Sequence, residues 1–215
     1  RHTRITVPLP RSFALFLNQN KSAILREKGV REALGVAIDR EALVESILGG
    51  YAIPQYGPLP EGFGVDTLKE EVTGDRIETA RGILEKSGWK LSTETGVWEK
   101  EIDKTPTVLE LSIATVNNPR FEATAEFVRQ AWERLGVRVT VKQFEQSDLT
   151  QGIIRPRDYE VLLFGTQVGR SLDFVSFWHS SQRNDPGLNV ALYANITTDS
   201  LLTTARTTTD ITKRN

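Results

Sequence analysis

The 215-residue sequence contains no cysteine and no methionine. Without cysteine, the chain has no disulfide bond, no thiolate nucleophile and no thiolate metal ligand. The lack of disulfides is compatible with an exported protein but does not by itself establish export. Because the first residue is Arg1 rather than methionine, we expect an excised or processed part of a longer protein.

Signals of enzyme chemistry are also missing. The two histidines, His2 and His179, share no local spacing that would favour a zinc or copper site. The sequence has no G-x-S-x-G elbow, no phosphate-binding loop and no dinucleotide fingerprint. We therefore predict no catalytic residues, no metal and no cofactor.

The sequence also lacks a long apolar run and a strong charge imbalance. No apolar stretch approaches the roughly 20 residues of a membrane span, and no signal peptide is visible. With 27 Lys and Arg against 28 Asp and Glu, the net charge of −1 gives no electrostatic footprint for nucleic acid. The apolar fraction of 39% is typical of a soluble globular protein. A chain of 215 residues is long enough for one domain, or at most two small ones.

The stretch from residue 30 to residue 50 predicts two helices separated by a cap. The first helix has apolar residues at three- and four-residue steps: Val30, Ala33, Leu34, Ala37 and Ile38. Asp39 suits the N-cap of the second helix, and Gly49-Gly50 suits its end. The predicted buried stripe of the second helix is Leu43, Val44, Ile47 and Leu48.

Five further segments predict a sheet with one crossover helix. Residues 12–18 are apolar at the five successive positions 13–17, which indicates a strand buried on both faces. A strand at 108–114, a helix at 121–135 and a strand at 137–141 predict a right-handed crossover between parallel strands. The apolar segment 159–164 predicts a central strand.

Shorter sequence patterns predict two further helices and a hairpin. Asp75 and Glu78 form a capping-box pattern before a helix. Trp89 and Trp98 flank a polar turn, which favours a small hairpin with both rings in the core. Ser147 is predicted to cap a short helix that runs to about residue 154.

Four longer motifs carry a resemblance to a known family. Residues 30–44 read V-R-x-A-L-x-x-A-I-D-R-E-A-L-V, and residues 49–60 read G-G-Y-A-x-P-x-Y-G-P-L-P. The run A-R-G-I-L-E-K-S-G-W at 80–89 and the pattern N-x-x-x-Y-x-N at 189–195 follow in the same order. Together they resemble the family 5 extracellular solute-binding proteins, the peptide, oligopeptide and nickel receptors of ABC importers.

The resemblance implies a fold and a function. The implied fold class is α/β: one lobe of a two-lobed, type II periplasmic-binding-protein-like fold, with a mixed sheet, flanking helices and a βαβ unit at 108–144. We expect residues 1–215 to be a single α/β lobe that lacks its partner lobe. The implied function is extracytoplasmic capture of a peptide or similar small solute by hinge closure, for delivery to an ABC transporter membrane permease.

The same resemblance identifies candidate ligand residues in the loop after the central strand. Peptide-binding members often carry a tryptophan and an acid here, and the acid takes the ligand's α-ammonium. This chain has Thr166 in place of the tryptophan and Gly169 in place of the acid. Gln167 and Arg170 would serve an anionic or amide-rich ligand, or would face solvent. Asp173 is the nearest carboxylate.

Two further positions complete the candidate site. Ser147 falls near another ligand-contact position of the family. Tyr56 lies in a loop rich in proline and glycine, where its ring either pins the loop to the core or lines a ligand cleft. An enzyme, or a chaperone-like interaction protein, built on the same lobe remains the alternative. A polarised acid–base pair would favour the enzyme, and a broad apolar groove would favour the interaction protein.

Overall fold

The computed structural model describes residues 9, 11–58, 72, 74–167 and 173–210. Within them the strands are β1 (Arg11–Leu17), β2 (Lys90–Leu91), β3 (Trp98–Ile102), β4 (Thr105–Val108), β5 (Glu110–Val116), β6 (Arg138–Phe144) and β7 (Val161–Gln167). The helices are α1 (Ala23–Arg26), α2 (Lys28–Val36), α3 (Arg40–Leu48), α4 (Arg76–Lys86), α5 (Pro119–Leu135), α6 (Gln146–Asp148), α7 (Val175–Trp178) and α8 (Ile196–Thr207). A π-helical turn, Leu149–Ile154, continues α6, and a 3-10 turn, Ser180–Gln182, follows α7. None of the described helices is long and apolar enough to cross a membrane.

The predicted strand–helix–strand unit is confirmed. β5 and β6 are parallel neighbours, with Ile113 opposite Val141, and α5 connects them. The side-chain oxygen of Asn118 accepts a hydrogen bond from the first turn of α5. Gly136 ends the helix with a φ of 101°, a conformation that favours glycine.

The larger sheet has the order β1-β7-β5-β6. β7 is parallel to β5 and β1 is antiparallel to β7, so the sheet is mixed, and β7 is central as predicted. This arrangement confirms the predicted α/β class. The prediction that β1 is buried on both faces is wrong, because β1 lies at the end of the sheet. Leu15 and Leu17 are half-buried, and Phe13 is 59% exposed.

The predicted helix caps are confirmed with one exception. A carboxylate oxygen of Asp39 accepts a hydrogen bond from a backbone N–H of α3 at 2.9 Å, and Asp75 caps α4 at 2.7 Å. Gly49 ends α3 with a φ of 58°. The predicted cap at Ser147 is wrong. Glu145 takes the cap position, and the Ser147 hydroxyl donates to the side chain of the next residue instead.

The helix that follows Asp39 is less buried than its sequence predicts. The four residues of its expected stripe are all half-buried: Leu43, Val44, Ile47 and Leu48. Among the described elements α3 packs mainly against α5, which covers only part of the stripe. The preceding helix, α2, is buried as predicted, and Ala37 and Ile38 are buried just beyond its end.

The second sheet, β2-β3-β4, is an antiparallel hairpin extended by a third strand. Trp89 and Trp98 are 2% and 1% exposed, which confirms the predicted core packing. The indole N–H of Trp98 donates to the carbonyl of Leu135 at 2.7 Å, and that of Trp89 donates to Glu27 at 3.1 Å. These bonds attach the hairpin to α5 and to the start of α2.

Tyr159 anchors the chain just before β7. Its side chain is 3% exposed, and its hydroxyl donates to the carbonyl of Val190 at 2.5 Å. Burial raises the pKa of Tyr159 to about 12. The folded state therefore holds the proton more tightly than the unfolded chain, whose tyrosines titrate near 10. This contribution to stability is complete below pH ~10 and is lost as the pH rises toward ~12.

We expect this titration to be visible in unfolding experiments. Between pH ~9 and ~11.5, the protein should lose about 2 kcal/mol more unfolding free energy than its Tyr159→Phe variant. The variant keeps the ring but cannot ionise, so other titrating groups cancel in the comparison. Urea unfolding at both pH values measures the difference. Equal losses in the two proteins would show that Tyr159 is not protected from ionisation.

Candidate ligand-binding edge

One edge of the larger sheet collects the ends of four strands. β5, β6 and β7 are parallel, so their carboxyl ends lie together, and antiparallel β1 begins at the same edge with Arg11 opposite Gln167. We call this region, residues 11–13, 116–118, 144–147 and 165–167, the strand-end edge. Ligands of open α/β sheets bind beyond such carboxyl ends, so the strand-end edge is the candidate position for a ligand site.

Neutral polar side chains lie at the strand-end edge and in the neighbouring loop of residues 51–58. The Ser12 hydroxyl donates to the side-chain oxygen of Gln55 at 2.9 Å, and the Gln55 amide donates to the carbonyl of Gly57 at 2.7 Å. These bonds hold the loop of residues 51–58 against β1. Thr166 lies opposite Ser12 in the sheet. The group offers hydroxyl and amide hydrogen bonds without a net charge.

A second polar pair lies across the ends of β5 and β6. The side-chain amide of Asn117 donates to the Glu145 carboxylate at 2.8 Å, and its backbone N–H donates to the carbonyl of Phe144 at 2.7 Å. Both bonds tie the loop after β5 to the loop after β6. Glu145 remains exposed, so its carboxylate can accept further hydrogen bonds.

Aromatic surface lies beside these polar groups. The Phe13 ring covers Gly165, where an added Cβ would come within 2.8 Å of a ring carbon. Phe13 also meets Phe121 edge to face, with ring centroids 5.6 Å apart. Phe13 is nevertheless 59% exposed, so an apolar group can pack on it. Sequence reasoning missed this ring because it assigned Phe13 to a strand buried on both faces.

The structure brings three of the predicted site residues to this edge. Thr166 and Gln167 are the last residues of β7, the first half-buried and the second exposed. Ser147 lies in α6 just beyond β6, with an exposed side chain. Gly169 and Arg170 lie outside the described residues. Ligand contact by any of them stays a prediction.

Asp173 already has a partner. Its carboxylate accepts hydrogen bonds from the Arg206 guanidinium at 2.7 and 3.1 Å and from the backbone N–H of Val175 at 3.2 Å. The bond from Arg206 is the main reason why the pKa of Asp173 is lowered from its ordinary value. The pair joins α8 to the start of α7, so the negative charge of Asp173 is balanced within the chain.

Tyr56 is held by the start of α3. Its hydroxyl donates to the Glu41 carboxylate, and the Arg40 guanidinium lies 5.0 Å from the centre of its ring. The hydrogen bond from Tyr56 lowers the pKa of Glu41, while burial and then the Glu41 bond raise the pKa of Tyr56. These contacts favour the interpretation in which Tyr56 pins its loop. A role in ligand contact stays a prediction.

The described residues also form a cavity of about 260 Å³ over one face of β5 and β6, and Phe144 of the strand-end edge is among the residues that line it. Three of its four charged side chains have an ion-pair or hydrogen-bond partner within the cavity lining. Lys21 pairs with Asp158 at 2.7 Å, and Glu160 accepts hydrogen bonds from the backbone and hydroxyl of Ser112 at 2.9 and 2.8 Å. These partners leave Lys142 as the cavity's remaining ammonium group, at an exposed position.

A serine, a histidine and an aspartate also meet near α8. The Ser180 hydroxyl donates to Asp199 at 2.5 Å, whereas His179 Nδ1 accepts from the backbone of Ser181 and lies 4.0 Å from Asp199. A serine nucleophile requires a hydrogen bond to the base rather than to the acid. The geometry therefore fits a cap that fixes the turn after α7 to α8. Nor do the described residues hold a cluster of three or more metal-ligating side chains.

The sequence matches known proteins along most of its length. A family model described as bacterial extracellular solute-binding proteins, family 5 middle, matches residues 2–187. The oligopeptide-binding protein AppA of Bacillus subtilis is 27% identical over 213 residues, which is 96% of this chain and 38% of that protein. The nickel-binding protein NikA of Staphylococcus aureus is 26% identical over 192 residues, which is 87% of this chain and 35% of that protein.

Solved structures share the fold. The structure of Bacillus subtilis AppA in complex with a nonapeptide has a TM-score of 0.85 at 24% identity, and the alignment covers 98% of this chain and 41% of that one. NikZ from Campylobacter jejuni in complex with Ni(L-His) has a TM-score of 0.75 at 22% identity, over 96% and 41% of the two chains. The chain thus spans about two fifths of these relatives. Since the family model matches well over half of the sequence, the chain belongs to the bacterial extracellular solute-binding proteins of family 5.

Proposed function

We propose that residues 1–215 form one lobe of the substrate-binding component of an ABC importer. In this proposal a peptide or similar small solute is captured outside the cytoplasm by closure of two lobes, and the liganded receptor then docks on the membrane permease. The observation that carries the proposal is the family match over residues 2–187, which includes the whole strand-end edge.

The chemistry of the strand-end edge supports a ligand with amide groups. Ser12, Gln55 and Thr166 supply neutral donors and acceptors, which suit the N–H and C=O groups of a peptide backbone. Phe13 adds an exposed ring for an apolar side chain. Ser147 and Gln167 are exposed at this edge in the described part of the chain, whereas small-ligand sites bury most of the ligand surface. A second surface opposite the edge is therefore part of the proposal.

Capture by lobe closure needs no covalent chemistry, and the described side chains support such a role. The hydroxyl of Ser180 is engaged by Asp199 rather than activated by His179. The strand-end edge presents a polar group beside one exposed ring rather than the broad apolar groove that a chaperone-like protein would need. A binding protein without catalytic residues is therefore the function we infer.

The proposal is tested by what the full-length receptor retains on purification. Native mass spectrometry of the freshly purified receptor should show a bound small solute, and calorimetry with that solute should give a one-to-one complex. A receptor that carries no solute and binds neither oligopeptides nor nickel complexes would contradict the proposal. Turnover of the solute would favour the enzyme alternative instead.

A finer prediction concerns the charge of the ligand. A ligand ammonium in a closed cleft requires an acidic partner, because an unpaired buried charge is costly. Gly169 offers no side chain at the position where related receptors carry an acid, and Asp173 is engaged by Arg206. We therefore expect that the full-length receptor does not depend on a free α-amino group.

The measurement compares free-amino and N-acetylated forms of one peptide. The wild-type receptor should bind both alike, while Gly169→Asp should favour the free amine by about 1.5–3 kcal/mol through a charge-assisted hydrogen bond. Gly169→Asn is the matched control, since it adds a side chain of the same size without the charge. A wild-type preference for the free amine of about tenfold (1.4 kcal/mol) or more would mean that another acid binds the ammonium.

A further inference from the structure

The loop of residues 51–58 connects α3 to the strand-end edge. Tyr56 attaches this loop to the helix, because its hydroxyl donates to the Glu41 carboxylate. Gln55 attaches the loop to β1, because its side-chain oxygen accepts the bond from Ser12. Adjacent Cα atoms lie about 3.8 Å apart, so a tyrosine that is fixed on α3 also fixes the backbone from which Gln55 projects.

The Gln55 side chain keeps hydrogen-bonding capacity for a ligand. A glutamine amide offers two N–H donors and two acceptor positions. The carbonyl of Gly57 can only accept, so the amide nitrogen of Gln55 faces it at 2.7 Å, and the amide oxygen faces the Ser12 hydroxyl at 2.9 Å. Among the described residues the Gln55 side chain has no other partner, so one N–H and one acceptor position remain. A peptide group, with its C=O and N–H, matches them.

The Gln55 amide also lies where a ligand of the sheet would bind. Ser12 is opposite Thr166 in the antiparallel pair of β1 and β7. Opposite residues of such a pair carry their side chains on the same face of the sheet, about 5 Å apart. The amide that bonds to Ser12 therefore lies near Thr166, at the carboxyl end of β7. Gln55 is half-buried, so part of its side chain is accessible.

The Tyr56 anchor is built on two helix starts. Glu41 and Arg40 belong to the first turn of α3, and the Arg40 guanidinium lies 5.0 Å from the centre of the Tyr56 ring. Arg76, the first residue of α4, lies 3.7 Å from Glu41 and 3.9 Å from Asp39. Tyr56 is thus held by capped helices rather than by another loop. A side chain that is already in place loses less conformational freedom when a ligand binds, which favours affinity.

We propose that Gln55 is a specificity-determining residue that hydrogen-bonds a peptide group of the ligand, and that Tyr56 is the positioning residue that holds Gln55 at the strand-end edge. This part of the edge then recognises the backbone of the ligand rather than a charge or a side chain. Tyr56 itself needs no contact with the ligand. Both roles rest on the proposed function, since they require a ligand with peptide groups at this edge.

Calorimetry on the full-length receptor with penta-alanine tests both roles, because its methyl side chains leave the peptide groups as the main contacts. Gln55→Ala and Tyr56→Phe should each weaken binding about tenfold. The matched control is Tyr51→Phe, which removes a hydroxyl from the same loop at a position that is 74% exposed and should change the affinity less than about twofold. Glu41→Gln keeps an acceptor for the Tyr56 hydroxyl and should also stay within about twofold, whereas Glu41→Ala should match Tyr56→Phe.

A double-substitution cycle separates positioning from general damage to the fold. In the Gln55→Ala background, Tyr56→Phe should have almost no further effect on affinity, because the side chain that Tyr56 positions is gone. A further loss of about tenfold would overturn the positioning role. Unchanged binding of penta-alanine by Gln55→Ala would overturn the ligand contact.

Ester analogues of penta-alanine identify the bonded peptide group. When one peptide N–H at a time is replaced by an ester oxygen, one position should weaken binding to the wild type about tenfold but binding to Gln55→Ala less than about twofold. Equal losses in both receptors at every position would overturn the ligand contact. A wild-type receptor that retains a solute but does not bind penta-alanine would overturn these roles alone, whereas one that binds no solute would contradict the proposed function.

Discussion

Replacement of Trp132 by alanine is expected to lower the unfolding free energy by about 3–5 kcal/mol. Trp132 is 1% exposed on the buried face of α5, in the same hydrophobic core as α2 and β5. Its indole N–H donates to the carbonyl of Leu34 at 3.0 Å. The substitution therefore empties a large volume at the centre of the core and also leaves the Leu34 carbonyl without this donor.

The matched control is Trp132→Phe, which keeps an aromatic ring but removes the indole N–H. It should cost about 1–3 kcal/mol, because the cavity is smaller while the buried carbonyl still loses its donor. Chemical denaturation of both variants separates the volume effect from the hydrogen bond. A denaturation midpoint of Trp132→Ala that equals the wild-type value would show that Trp132 does not belong to the core.

Local signals explain why the centre of the fold could be predicted. Asn118-Pro119 starts α5, Gly136 ends it, and the apolar positions between them follow the helical period. The alternation of apolar and polar residues in β6 likewise indicates which face of the strand is buried. Each of these signals lies within a few residues of the structure that it specifies, so no knowledge of distant contacts was needed.

The features that the sequence did not predict share a different cause. Each depends on contacts with residues far along the chain. The position of β1 at the end of the sheet is decided by β7, about 150 residues later. The half-buried stripe of α3 depends on what packs over it, and the bond between Ser12 and Gln55 joins residues 43 positions apart. From the sequence, Asp173 is the carboxylate nearest to the candidate ligand residues, but its charge is paired with the guanidinium of Arg206, 33 residues away. Residue spacing and composition do not indicate such long-range contacts.

The location of the candidate site could be inferred from the sequence more directly than its side chains could, and ligand contact there stays a prediction. The rule that ligands lie beyond the carboxyl ends of strands led to Thr166 and Gln167. It could not reveal Phe13 or Gln55, because these come from an antiparallel strand and from a loop.

At the strand-end edge, the described side chains of Ser147 and Gln167 are exposed. The 215-residue chain alone should bind oligopeptides about 1000-fold more weakly than the full-length receptor, a difference of about 4 kcal/mol. A ligand on the strand-end edge meets Phe13, Thr166 and Gln167 on one side only, so its opposite surface stays in water while it still loses conformational freedom. Calorimetry with di- to pentapeptides measures both affinities, after cooperative unfolding has shown that the shorter chain is folded. Submicromolar binding by the 215-residue chain would mean that the site is complete within it, and the two-lobed proposal would have to be abandoned.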